Sequence, residues 1–337
     1  MLTRRSLLAS AALTVLLATG AQAQDPLKVV ASFSILGDLV HQIGGEHVAL
    51  TTLVPADGDA HVFQPTPNDA QSVAAAQLVF VNGLDFEGWM DRLIEASGYK
   101  GPIVVASQGV DPIPFDGDEE EEGHGHAHGE HAEEGHGHAH GEHAEEGHGH
   151  AHDDHADEGH DHHGVDPHAW QSVPNAEIYV KNIAAALEQA DPANAAAYKA
   201  NAEAYEAKLK ALDAEIRAAV AAFPEDHRTV VTSHDAFGYF AKTYGLNFVA
   251  PEGISTESEA SAQDVAKLID QIRAEHIPAV FMENVTDPRL LEQIASETGA
   301  KIGGTVYSDA LSGPEGPAAT YIDMMKNNIA MFSAALK

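Results

Sequence analysis

Short apolar runs alternate along most of this chain with longer stretches whose apolar residues recur at spacings of three and four, the pattern of buried strands between amphipathic helices. In the N-terminal half, strands are predicted at Leu27 to Phe33, Val48 to Val54, Leu78 to Val81 and Pro102 to Ala106. Helices are predicted over Ile35 to Ile43, Asn68 to Ala76 and Trp89 to Ala96. The C-terminal half repeats the alternation, with strands at Thr229 to Thr232, Phe248 to Ala250, Ala279 to Met282 and Lys301 to Val306. Its helices are expected over Phe237 to Tyr244, Ala262 to Glu275, Pro288 to Thr298 and Thr320 to Leu336. Strands that alternate with helices build βαβ units, so the expected class is α/β with mainly parallel sheets flanked by helices.

Two helical stretches separate the halves. Asn175 to Ala190 is amphipathic, and a longer stretch follows with Tyr198, Tyr205, Leu209, Leu212 and Ile216 on one face. Asp191 is its expected N-cap and Pro192 its first helical residue. Carried to Phe223, the helix spans ~45 Å at 1.5 Å per residue. A helix of that length suits a spine. The expected architecture is two pseudo-symmetric lobes, residues 24–190 and 224–337, joined by one long helix over 191–223.

The pattern breaks completely at residues 116–164. EEGHGHAHGEHA at 121–132 recurs at 133–144, and the variant EEGHGHAHDDHA fills 145–156. The repeat has no apolar face to stack, so a disordered insertion in the first lobe is expected, not a solenoid. Fifteen of the chain's 22 histidines fall there: His124, His126, His128, His131, His136, His138, His140, His143, His148, His150, His152, His155, His160, His162 and His163. Interleaved imidazoles and carboxylates make an auxiliary, low-affinity metal-binding composition.

Charge and targeting narrow the function. The formal net charge is -34, and residues 116–166 hold eighteen Asp and Glu with no Lys or Arg. Such a chain is not built to neutralise phosphates, so nucleic acid is excluded as a partner. Arg4 and Arg5, the apolar run Leu7 to Leu17 and Ala21-Gln22-Ala23 form a three-part export signal over residues 1–23. The paired arginines leave both the general and the twin-arginine export routes open. The chain has no cysteine, hence no disulfide, no thiolate ligand and no lipidation residue near the cleavage site. A soluble periplasmic monomer is expected.

Four residues stand out by position, each just after a strand or on a following loop: His61 in GDAHVFQPTP, His168 in DPHAW, His234 in SHDAF and Asp309 after KIGGTVYS. In open α/β sheets, ligands gather at the carboxyl ends of strands. Taken singly, each histidine is an ordinary surface side chain, and Asp309 an ordinary turn residue. Taken together, three imidazoles and one carboxylate match tetrahedral Zn²⁺ and leave no open position for a water nucleophile. That pattern favours binding over catalysis, and no HExxH string supports a metallohydrolase.

These strings resemble the cluster A-I periplasmic solute-binding proteins that serve zinc and manganese ABC importers. The resemblance rests on AHVFQPTP at 60–67, DPHAW at 166–170, SHDAFGYFAKTYGL at 233–246, GISTESEASAQD at 253–264, VFMENVTDP at 280–288 and YSDALS at 307–312. It covers nearly all of Leu27 to Lys337 outside the insertion. It implies two lobes on a helical spine, His61, His168, His234 and Asp309 as metal ligands, and an inner-membrane permease as partner. A periplasmic zinc donor is a further partner. His234 stands where manganese members resemble SEGCF, with Glu in third place, so the resemblance is closer to the zinc-binding His3Asp subgroup. Other zinc members pair a second-lobe disulfide with loss of the aspartate, and this chain departs from both features. Asp235 and Glu283 are candidate partners of the imidazoles, and His41, His47, His227 and His276 are expected to be structural. The competing readings are a periplasmic zinc buffer or metallochaperone uncoupled from a permease, and a manganese receptor of the same fold.

Overall fold

The computed structural model describes residues 25–115, 164–257 and 260–337. The export signal and the fifteen histidines of the insertion lie outside the described residues. Among the described residues, no helix is long and apolar enough to cross a membrane.

The N-terminal sheet contains β1 (Leu27–Phe33), β2 (Val48–Val54), β3 (Leu78–Val81) and β4 (Ile103–Val105), all parallel, in the order β2-β1-β3-β4. Helices α1 (Ser34–Gly44), α2 (Pro67–Ala75) and α3 (Met90–Ser97) connect these strands. β1 and β3 are buried along nearly their whole length, which explains their continuous apolar runs. α2 starts at a capping box, where Thr66 and Asp69 satisfy each other's backbone N–H groups.

The C-terminal sheet contains β7 (Thr229–Val231), β8 (Asn247–Val249), β9 (Ala279–Glu283) and β10 (Lys301–Val306), parallel, in the order β10-β9-β7-β8. Its helices are α6 (Gly238–Tyr244), α7 (Ala262–Glu275), α8 (Arg289–Thr298) and α9 (Tyr321–Leu336). The mixed α/β class expected from the alternation of elements is what the chain adopts.

Between the sheets, α4 (Val173–Ala190) and α5 (Ala195–Ala221) pack on each other, and α5 also meets α1 on one side and α9 on the other. The predicted helix over 191–223 is corrected to 195–221, and Asp191 is not its N-cap. Asp191 closes α4 through its backbone N–H to Leu187, and its carboxylate accepts from Asn194 Nδ2 and Tyr198 OH. Those bonds make a turn out of 191–194, which competes successfully with extension of the helix. One continuous core threads β1, β3, α4, α5, α6 and α9, with Trp170, Tyr179, Tyr198, Phe237 and Tyr321 fully buried. Each such aromatic contributes ~1.5–3 kcal/mol by leaving water.

The sequence pattern missed a short strand pair. Pro114–Phe115 (β5) and Gly164–Val165 (β6) pair antiparallel, so the chain leaves for and returns from residues 116–163 through adjacent strands. Gly164 therefore belongs to the folded body, and the insertion ends one residue earlier than expected.

Candidate metal centre

Each of the four candidate residues sits on a segment fixed by its neighbours. His61 lies on the loop after β2, where the Trp89 indole donates to the Ala60 carbonyl at 2.8 Å and the His61 N–H donates to Asp59 Oδ1 at 2.8 Å. His168 follows β6, and both its backbone N–H and its ring Nδ1 meet Asp166 Oδ1, at 2.9 and 2.8 Å. His234 stands just past β7. The N–H groups of Ser233 and His234 both donate to Glu283 Oε1, at 2.7 and 3.0 Å, and His234 Nδ1 lies 2.8 Å from Glu283 Oε2. Asp309 follows β10 on a segment held by Asn328 of α9, which donates to the Tyr307 carbonyl and accepts from the Tyr307 N–H.

The fold brings these four side chains together. One ligand atom from each lies within 4.8 Å of all the others. His234 Nε2 and His61 Nε2 are 3.0 and 3.3 Å from Asp309 Oδ2, and His168 Nε2 is 3.5 Å from Asp309 Oδ1. For metal bonds of ~2.0–2.1 Å, the edge of a tetrahedron is about 3.4 Å, so these separations suit one small cation. The His61 ring is 7% exposed and the other three side chains 0%. All three Nε2 atoms and both Asp309 oxygens are buried without a hydrogen-bond partner. Orphaned polar atoms converging on one point are costly unless an ion satisfies them.

The electrostatics point the same way. Burial pushes the His234 imidazole toward neutrality, but the Glu283 and Asp309 carboxylates override it and hold the group well above its ordinary pKa. Burial likewise pushes Asp309 up, and the His234 and His168 imidazoles override it, holding the carboxyl well below its usual range. A divalent ion held by the four residues would supply positive charge beside these buried carboxylates.

Behind the imidazoles stands an aromatic wall. Phe86 meets His61 edge-on at 4.9 Å, and Trp170 meets His168 at 5.4 Å between ring centroids. A cavity of about 730 Å³ opens beside His61, lined by Phe63, Phe86, Trp89 and Arg92, and by Val165 at the root of the insertion.

Of the two guessed carboxylates, Glu283 is the one against His234. The Asp235 backbone N–H donates to the Gly253 carbonyl, and burial raises the Asp235 carboxyl above the usual range against the pull of the His168 and His234 imidazoles. Asp166 was missed, although its signal was present: an Asp two residues before a histidine can accept that residue's N–H and its ring nitrogen together. The four remaining described histidines stay outside the cluster. His47 packs edge-on against Tyr198, His227 Nδ1 lies 3.1 Å from the Leu336 carbonyl, His276 ends α7 in a left-handed conformation, and His41 is exposed.

Comparison with known proteins adds the context. The family model described as "Zinc-uptake complex component A periplasmic" matches residues 29–335. The manganese-binding lipoprotein MntA of Halalkalibacterium halodurans is 32% identical, over 95% of this chain and 95% of its own. The iron-binding protein YfeA of Yersinia pestis is also 32% identical, over 90% of this chain and 84% of its own. Among solved structures, the periplasmic zinc-binding protein TroA of Treponema pallidum superposes with a TM-score of 0.74 at 27% identity, covering 93% of this chain and 99% of that one. A manganese-bound mutant of a periplasmic metal-binding protein from Candidatus Liberibacter asiaticus superposes equally well, at 0.74 and 29% identity, covering 92% and 99%.

Proposed function

The chain belongs to the periplasmic zinc-uptake component A family, the cluster A-I metal-binding proteins of ABC importers, and from that membership we propose that it is the extracytoplasmic zinc receptor of such an importer. His61, His168, His234 and Asp309 hold the ion, and an inner-membrane permease receives it. The observation that carries this reading is the buried convergence of three orphaned imidazole nitrogens and one carboxylate within 4.8 Å. The ligand types support zinc: Mn²⁺ prefers more oxygen donors and a higher coordination number, whereas a His3Asp set completes a tetrahedron. Saturation by protein ligands supports a receptor over an enzyme. The fifteen histidines of the insertion act as a low-affinity collector, a role supported by composition and by the position of its root at the cavity beside His61.

Relatives named for manganese and iron make those metals the necessary competitors. The decisive test is metal-competition titration of the mature protein with residues 118–163 deleted. One tight Zn²⁺ per chain is expected, undisturbed by excess Mn²⁺ and strongly weakened in His234→Ala. Equal competition by Mn²⁺ would reject zinc as the cargo. Loss of tight binding on deletion would move the site to the insertion.

A further inference from the structure

Gln171 is fully buried on the short 3-10 turn Ala169–Gln171 that follows His168. Its backbone N–H donates to the His168 carbonyl at 3.0 Å, and its Nε2 donates to the Ser308 carbonyl at 2.7 Å, 137 residues away in sequence. One residue therefore grips both the segment carrying His168 and the residue immediately before Asp309. Trp170 Nε1 donates to the same Ser308 carbonyl at 2.8 Å. With both lone pairs engaged, that peptide cannot rotate without breaking a bond, and its orientation sets where the Asp309 side chain starts.

The Ser308 carbonyl has two donors where one would suffice. Trp170 already satisfies the Ser308 carbonyl. Gln171 brings a second acceptor, Oε1, that is buried with no partner, and Ser308 Oγ is also buried and unpartnered. An apolar side chain of the same volume would remove an orphaned acceptor and leave no carbonyl unmet. The amide is thus not needed to satisfy the carbonyl, and its bond adds a second constraint on the peptide that precedes Asp309.

We propose that Gln171 is a positioning residue of the metal centre, holding Asp309 against His168 through the Ser308 carbonyl. The proposal rests on the reading of the four residues as ligands. Its signature is a split between two properties, since a residue that merely stabilises the fold would move both in the same direction.

The experiment uses the full mature protein. Zn²⁺ release into excess chelator is followed by stopped flow, and thermal melting is followed on the metal-free form, for wild type, Gln171→Met, Trp170→Phe and the double variant. Gln171→Met keeps the length and volume and removes the donor. Its release should be roughly tenfold faster, on the scale of one lost buried hydrogen bond, while its metal-free melting temperature equals or exceeds that of wild type. The double variant should release faster than the product of the single effects, because the Ser308 carbonyl then has no donor. If Gln171→Met folds poorly, Gln171→Leu, which also removes the donor, takes its place in the same measurement. Unchanged release in both single variants, or faster release matched by a lower melting temperature, overturns the proposal and leaves the receptor reading intact. Absence of a tight site in the wild type sinks both.

Discussion

The two sheets share one design but use it differently. Val30 pairs with Val79 in the first, and Val231 with Val280 in the second, each residue of the second pair lying 201 positions beyond its counterpart. Under that offset Ser32 corresponds to Ser233, Phe33 to His234 and Asn82 to Glu283. The N-terminal sheet therefore presents Phe33 where the C-terminal sheet presents a candidate ligand. Phe33 packs into the aromatic wall, 4.9 Å from both Phe86 and Trp170. Each sheet also buries a glutamate at the carboxyl end of its central strands. Glu87 accepts from Ser32 Oγ and from the N–H groups of Asn82 and Gly83, as Glu283 accepts from Ser233 and His234. Only Glu283 has an imidazole beside it. The same scaffold thus supplies a hydrophobic backing on one side and a charged, oriented candidate ligand on the other.

The largest effect should come from erasing this difference. His234→Phe copies the N-terminal residue into the C-terminal sheet, and zinc affinity measured by competition should fall by more than the ~10–100-fold typical of losing an outer carboxylate. Retained affinity would mean that His234 is not a ligand.

A smaller effect should follow from removing orientation while keeping the ligand. Glu283→Gln and Asp166→Asn leave the imidazoles in place but weaken what aims them, and each should cost about 10–100-fold in affinity. Equal affinity in all three proteins would show that the rings are aimed by packing alone.

The smallest effect on binding belongs to Glu87, and here the readout is stability. Burial raises the Glu87 carboxyl above its ordinary pKa, against the hydrogen bonds from Ser32, Asn82 and Gly83. A carboxyl raised on folding contributes most below its unfolded value, ~4.3, and loses that contribution as pH rises through its folded value. Glu87→Gln cannot ionise. Chemical denaturation should therefore show the balance of stability moving in favour of the variant as pH rises from about 4 through the raised folded value, with zinc affinity unchanged. A pH-independent difference would mean that Glu87 titrates alike in both states.

Much of this is legible in the sequence. Runs such as LKVVASF and AVFM announce strands buried on both faces, and β1 and β9 are buried there. The candidate ligands were legible because strand-end histidines stand in short, distinctive strings. The start of α5 was not, because Asp191 and Pro192 favour a helix start locally while the side chain of Tyr198, seven residues on, draws Asp191 into a turn. Nor was the hairpin at Pro114–Phe115 and Gly164–Val165 visible, since two-residue strands carry no period and their partners are separated by the whole insertion.

By itself the sequence determined the class of fold, the alternation of elements and the identity of the residues that could hold a cation. These depend on local periodicity, turn chemistry and donor type, all of which are written in consecutive residues. Only the tertiary structure decided that Glu283 lies directly against His234 and that Gln171 reaches the Ser308 carbonyl. Those partnerships follow from sheet order and from the packing of the segments beyond the strands, where residues far apart in the chain are brought to within one hydrogen bond, and no local pattern encodes which of several carboxylates or amides will arrive.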